Sequence, residues 1–190
     1  MLDQFKNWLW NQQYKRNLAG LHRDRATVNL VEAKTVVVLF EVISEDEYYR
    51  VNSFVKTLQR NQKIVNALGF VHGKLIPSYC SRRLSYDFIT EKDLNWYGKP
   101  ARQFFNDFVK KECDLLVDLS MKENKTLQYI AGLSRARMKV GRLDTNTQQY
   151  YDMMFITDKM SGTEEFVQTI IQYLSGLNRN KQETLLQPML

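Results

Sequence analysis

The sequence predicts an α/β protein: a three-layer, Rossmann-like domain with about five or six mostly parallel strands and helices on both faces. Three observations predict it. Strand-like apolar runs alternate with segments of helical periodicity from residue 35 onward. Thr35 to Ile43, Thr-Val-Val-Val-Leu-Phe-Glu-Val-Ile, is β-branched and almost continuously apolar, as a parallel strand buried on both faces must be. Cys113 to Arg142 reads as strand, helix, strand, and so compact a βαβ unit is right-handed with parallel strands.

In chain order, residues 2–19 predict a short amphipathic helix with Leu2, Phe5, Trp8 and Leu9 on its stripe, basic residues Lys6, Lys15 and Arg16, and Gly20 as its stop. Trp8 and Trp10 beside those cations fit either a membrane-surface anchor or a helix packed on its own domain or a partner. Residues 21–34, with His22, Arg23, Asp24 and Arg25, read as a polar connector. After the strand at Thr35, Ser44-Glu-Asp-Glu47 reads as a capping box. It opens a helix expected to run to Leu68 through Tyr48, Val51, Val55, Leu58 and Val65, and to end at Gly69. Phe70–Ile76 reads as a weak strand closed by Pro77, and Tyr86–Ile89 as another.

Lys99-Pro100 predicts a helix start, with Phe104, Phe105, Phe108 and Val109 on its buried side. Leu115–Leu119 reads as a strand, Leu127, Ile130, Ala131 and Ser134 as a helical stripe, and Met138 and Val140, alternating with Arg137 and Lys139, as a strand. Asp152–Thr157 reads as a last strand. Ser161-Gly-Thr-Glu164 reads as a second capping box before a helix carrying Phe166, Ile170, Tyr173, Leu174 and Leu177. The expected organisation is a basic helix and connector over 1–34, one Rossmann-like domain over 35–177, and a flexible tail over 178–190.

Composition narrows the chemistry. The formal net charge is +6, which favours acidic partners without specifying the fold. Two histidines and two cysteines, Cys80 and Cys113 far apart, match no metal-ligand spacing. No metal and no cofactor are expected, and the cysteines are expected to be reduced thiols in a cytoplasmic protein. Lys6, Asn7, Asn11 and Gln12 interrupt any secretory leader, and no apolar run is long enough to span a membrane. Neither a dinucleotide fingerprint nor a P-loop follows a predicted strand.

Candidate ligand-binding residues lie near strand ends, because open α/β sheets bind beyond the carboxyl ends of their strands. Asp118 and Ser120 close the first strand of the βαβ unit; the carboxylate there either holds a ligand hydroxyl or caps the next helix. Arg135, Arg137, Lys139 and Arg142 form the densest basic cluster. Arg137 and Lys139 share a strand face, so that strand lies near a sheet edge or faces an anion-holding cleft. Arg142, beside Gly141, is the best single phosphate or carboxylate ligand. Arg82 and Arg83, near Trp96 and Tyr97, offer a partner-binding loop in which aromatics stack bases, or an ordinary packed loop. No catalytic residue stands out: His72 and Cys80 lack a third, orienting group.

The segments Asn66-Ala-Leu-Gly-Phe, Asp93-Leu-Asn-Trp-Tyr-Gly-Lys-Pro, Cys113-Asp-Leu-Leu-Val-Asp-Leu-Ser and Lys139-Val-Gly-Arg together resemble a family of small bacterial proteins of unknown function. The resemblance covers most of the chain. It implies the α/β fold and a bacterial cytosolic setting and brings no activity. Asp114 to Arg142 is also similar to the amino-terminal Rossmann half of the heptosyltransferases that build lipopolysaccharide, in a strand ending Asp-Leu, a helix, and a strand ending near Gly. The nucleotide-sugar domain of that family is not expected here.

The residues thus predict a non-catalytic binding module for an anionic small molecule, a nucleic acid or a protein partner. The alternatives are a transferase acting on a sugar phosphate or nucleotide sugar, with Asp118 and Ser120 at the sugar and Arg142 on phosphate, and a peripheral membrane protein attached through Trp8 and Trp10.

Overall fold

The structure, a computed structural model, describes residues 2–80, 84–100, 109–144, 147–156 and 162–177. Helix α1 (Leu2–Ala19) and an irregular connector precede β1 (Thr35–Val42), α2 (Glu45–Arg60), β2 (Ile64–Val71) and β3 (Tyr86–Thr90). Then come β4 (Glu112–Asp118), α3 (Lys125–Leu133), β5 (Arg135–Arg142), β6 (Met153–Phe155) and α4 (Thr163–Gly176). The six strands form one sheet in the order β3-β2-β1-β4-β5-β6, every pair parallel. The expected Rossmann-like α/β fold is therefore present.

β1 is central because all of Val36–Val42 is buried, and a strand flanked on both sides and both faces tolerates no other pattern. It pairs along its whole length with β2, Thr35 opposite Ile64 through Val42 opposite Val71, and with β4 from Val36–Leu115 to Leu39–Asp118. β6 is short and covers only Val140, Gly141 and Arg142 of β5. Among the described residues no strand lies beyond the amino-terminal half of β5, with Arg135 and Arg137, so those residues lie near a sheet edge.

The expected helix through Leu68 is corrected. α2 ends at Arg60, Gln62 turns the chain at φ 59°, and residues 64–71 are β2. Val65 and Leu68 continued the helical spacing of Leu58 by coincidence, because a strand buried on both faces loses its period of two. Gly69 is accordingly mid-strand rather than a helix stop. A Cβ there would sit 2.8 Å from both Phe40 and Phe88, so glycine lets two rings meet over the sheet. The expected strand from Phe70 to Ile76 ends instead at Val71. Ser44 caps α2 as expected, its Oγ accepting from the Glu47 amide. α4 has Gly162 at its N-cap, while Ser161 lies outside the described residues, as do Phe104, Phe105 and Phe108.

Two apolar layers sandwich the sheet. One joins Val36, Val38, Phe40, Leu115 and Val117 to Tyr48, Val51, Phe54 and Val55 of α2 and to Phe166, Ile170 and Leu174 of α4. The other joins Val37, Leu39, Leu68 and Leu116 to Leu127 and Ile130 of α3 and to Trp10 and Tyr14 of α1. Each fully buried side chain of this size contributes about 1.5–3 kcal/mol. The expected α1 stripe is corrected too: Trp10 and Tyr14 are buried, whereas Phe5 and Trp8 are exposed. The Tyr14 hydroxyl and the ring carbons next to it press on Gly132 of α3, where a Cβ would meet the ring at 2.8 Å, so this helix crossing requires glycine. The connector then runs along the sheet. Ala26 N donates to Arg137 O and Leu30 N to Leu174 O, while Asn29 Nδ2 bonds Leu177 O.

Candidate functional site

Strand order reverses between β1 and β4, so the crevice at their carboxyl ends is where such a fold binds ligands. Here that crevice is filled by the chain's own polar groups. Asp118, at the end of β4, is 1% exposed. Its Oδ1 accepts from the Ser120 amide at 2.9 Å and its Oδ2 from the Tyr151 hydroxyl at 2.5 Å. Burial raises the Asp118 carboxyl above the usual carboxylate range, against the lowering effect of those bonds, and keeps the Tyr151 phenol protonated. Gly141 makes this possible: a Cβ there would lie 2.7 Å from the Tyr151 ring, so only glycine in β5 lets that ring cross to Asp118.

Beside it, Glu41 near the end of β1 is also buried. Its Oε1 accepts from Asn124 Nδ2 at 2.8 Å and lies 3.0 Å from His72 Nε2. Asn124 in turn caps α3, its Oδ1 accepting from the Leu127 amide. Arg142 pairs with Asp144 at 2.8 Å. The space between Asp118, Ser120, Asn124, Arg142 and Tyr151 amounts to about 10 Å³, room for about one water and far below the few hundred Å³ of a metabolite site.

The remaining sequence candidates scatter. Arg137 is exposed, 3.6 Å from Asp114. Lys139 belongs to the same strand face but is 3% exposed, its Nζ donating to Gly132 O at 2.7 Å. Trp96 is exposed and stacks at 6.3 Å on Phe5 of α1, with Tyr97 edge-on to it; Arg82 and Arg83 lie outside the described residues. Trp8 stacks on Phe5, and Trp10 packs inside against Tyr14 and Tyr129. Burial pushes the Cys80 thiol to about 11 and the Cys113 thiol to about 12, so neither is a thiolate near neutrality. Among the described residues no group of histidine, cysteine and carboxylate side chains could hold a metal, and no helix is long and apolar enough to cross a membrane.

Larger spaces ring the junction of α1 with the connector. One of about 210 Å³ is lined by Asn17, Leu21, Lys99, Lys110, Tyr129 and Arg135. A second of about 230 Å³ lies among His22, Arg23, Asp114, Arg135 and Arg137. A third of about 300 Å³ lies among Leu21, Arg23, Arg25, Lys139, Tyr150 and Asp152. Their linings hold seven cationic side chains (Arg23, Arg25, Lys99, Lys110, Arg135, Arg137, Lys139) against four carboxylates (Asp24, Glu112, Asp114, Asp152). Of these cations, sequence reasoning singled out Arg137 and Lys139 as site residues and left Arg23 and Arg25 in a polar connector. Nothing local to Arg23-Asp24-Arg25 signals that the connector lies along β5; its bonds to Ala136, Arg137 and Met138 do so.

The fold and these clefts define a Rossmann-like α/β protein of six parallel strands whose carboxyl-end crevice is closed. A model for a family of unknown function (DUF6913) matches residues 6–177, and the chain belongs to that family. No curated protein matches. Among solved structures the chain is similar to E. coli heptosyltransferase WaaC with ADP, at 13% identity and a TM-score of 0.47, over 74% of this chain and 47% of that one. The chain thus spans about half the length of that enzyme.

Proposed function

We propose that the protein is a non-catalytic binding module that recognises an anionic partner through the clefts around the α1–connector junction. The observation that carries this reading is the excess of cationic over acidic side chains lining those three clefts, set against the paired carboxylates at the carboxyl end of the sheet. Clustered cations on low-dielectric walls raise the local concentration of anions and speed their encounter. The transferase alternative needs Asp118 and Ser120 to meet a sugar or nucleotide, and the 10 Å³ space beside Asp118 gives that reading no support.

Retention on heparin resin, a generic polyanion, tests the proposal. A variant carrying Arg25→Ser, Arg135→Ser and Arg137→Ser is expected to elute at clearly lower salt than the native protein. A control carrying Lys56→Ser, Lys74→Ser and Lys92→Ser, all exposed and outside these clefts, removes the same charge and is expected to shift much less. Equal shifts would make the binding a matter of net charge and overturn the proposal.

A further inference from the structure

The third cleft differs from the other two because a lysine amine is buried in its wall. Lys139 projects from β5 towards α3, where its Nζ donates to the Gly132 carbonyl, one of the last carbonyls of that helix. Among the groups around it, Arg23 is already committed: it clamps Asp152 through Nη1 at 2.7 Å and Nη2 at 2.5 Å and also donates to Ala136 O. Asp152 accepts the Lys139 backbone amide on the same carboxylate. Arg23 and Asp152 therefore neutralise each other and rigidify the wall. Arg25 and Lys139 are the remaining cationic residues lining the cavity, together with Gly132, whose carbonyl holds the Lys139 amine.

We propose that this cavity is the binding site of a small organic anion, a carboxylate or phosphate compound of metabolite size, held between Lys139 and Arg25. The volume of about 300 Å³ is at the lower end of known small-ligand sites, and its lining combines polar Gln148 and Tyr150 with apolar Leu18 and Leu21. The inference rests on the anionic reading of this face but names a distinct ligand and a distinct residue. Burial, aided by Arg23 and Arg25, lowers the Lys139 amine to about 7, so near neutrality much of it is uncharged. A bound anion supplies the missing counter-charge, and the amine takes up a proton from solvent as the ligand enters.

The other groups facing Lys139 keep one state across the relevant range. Asp152 is held below the usual carboxylate range by Arg23. The Cys113 thiol on β4 and the Tyr150 phenol are pushed up to about 12, and burial raises Tyr14 on α1 and Tyr151 as well. Between about pH 7 and 9 the proton uptake belongs to Lys139.

Calorimetric titration of the full chain with sulfate and with succinate tests this. Neither probe titrates in that range, and the two separate a tetrahedral from a carboxylate preference. The expected result is binding of at least one probe, with an affinity that falls towards tenfold per pH unit above the Lys139 pKa. Near pH 8 the heats should also differ between buffers of unequal ionisation enthalpy. Lys139→Met should weaken binding and abolish the pH dependence; Arg25→Ala, on the exposed rim, should weaken binding and keep it. Binding of neither probe, or a pH dependence that survives Lys139→Met, overturns the proposal. Heparin retention of Lys139→Met should change much less than that of the Arg25, Arg135 and Arg137 variant, because the amine is buried and only partly charged near neutrality. A loss of heparin binding in the wild type would remove the wider reading of the face without touching the small-anion result.

Discussion

Asp118 shows how far one side chain depends on another that is remote in sequence. Its carboxyl is raised in the fold, so the native state binds its proton more tightly than the unfolded chain does. Stability therefore falls as pH rises from the unfolded carboxylate value through the folded one, and the cost is fully present above it. The Tyr151 hydroxyl limits that cost by donating to Oδ2. Tyr151→Phe removes the donor and leaves a buried carboxylate oxygen unsatisfied, which should destabilise by about 1–3 kcal/mol, more at neutral than at acid pH. Urea unfolding at both pH values checks it; an equal loss at each would mean that the hydroxyl serves only packing. Lys139 works with the opposite group type. Its folded value is depressed below the unfolded one near 10.5, so the unfolded chain holds more protons between about 7 and 10.5, and native stability rises with pH across that window. Lys139→Met should erase this rise, by up to about 1.4 kcal/mol per pH unit, when the two proteins are unfolded side by side.

At the scale of elements, the crossing of α1 over α3 depends on Gly132. An added methyl would strike the Tyr14 ring, so Gly132→Ala should destabilise by about 1–3 kcal/mol through overpacking, despite a gain of about 1 kcal/mol in helix propensity. The same change should speed proteolysis within residues 21–27, and it should be non-additive with Tyr14→Ala. The elements themselves were unequally legible. β1 stood out because Thr35–Val42 is β-branched and buried on both faces, and the βαβ unit from Glu112 to Arg142 because strand, helix and strand follow one another without interruption. β2 did not, since Val65 and Leu68 fell in step with α2. The buried side of α1 did not either: Trp10 and Tyr14 are chosen by the aromatic surface of α3, which no pattern within residues 2–19 encodes.

For the whole molecule, the sequence placed the candidate site where the fold rule puts it, and Asp118 indeed lies at the carboxyl end of β4. What it could not convey is that Tyr151, Glu41 and Asn124 close that end, because they come from three different stretches of chain. The cationic clefts were equally hidden, being assembled from a connector, the approach to β4 and β5. Their excess charge predicts that any partner captured by this protein will be released by salt, with contacts on the exposed Arg25 and Arg137 screened first and those on the half-buried Arg135 later; salt-insensitive capture would point to the exposed aromatic group of Phe5, Trp8 and Trp96 instead.

The connector has one more consequence, and it concerns synthesis. Its amino-terminal anchors lie far downstream: Arg23 reaches Asp152, Ala26 reaches Arg137 and Leu30 reaches Leu174, as Asn17 of α1 before it reaches Tyr129. A ribosome adding about 5–20 residues per second needs roughly 7–30 s between making the connector and making the last of these anchors. For that interval the connector, and for most of it the buried Trp10 and Tyr14 of α1, have been made without the surfaces they pack on, so chaperones have an interval in which to hold this early-made segment.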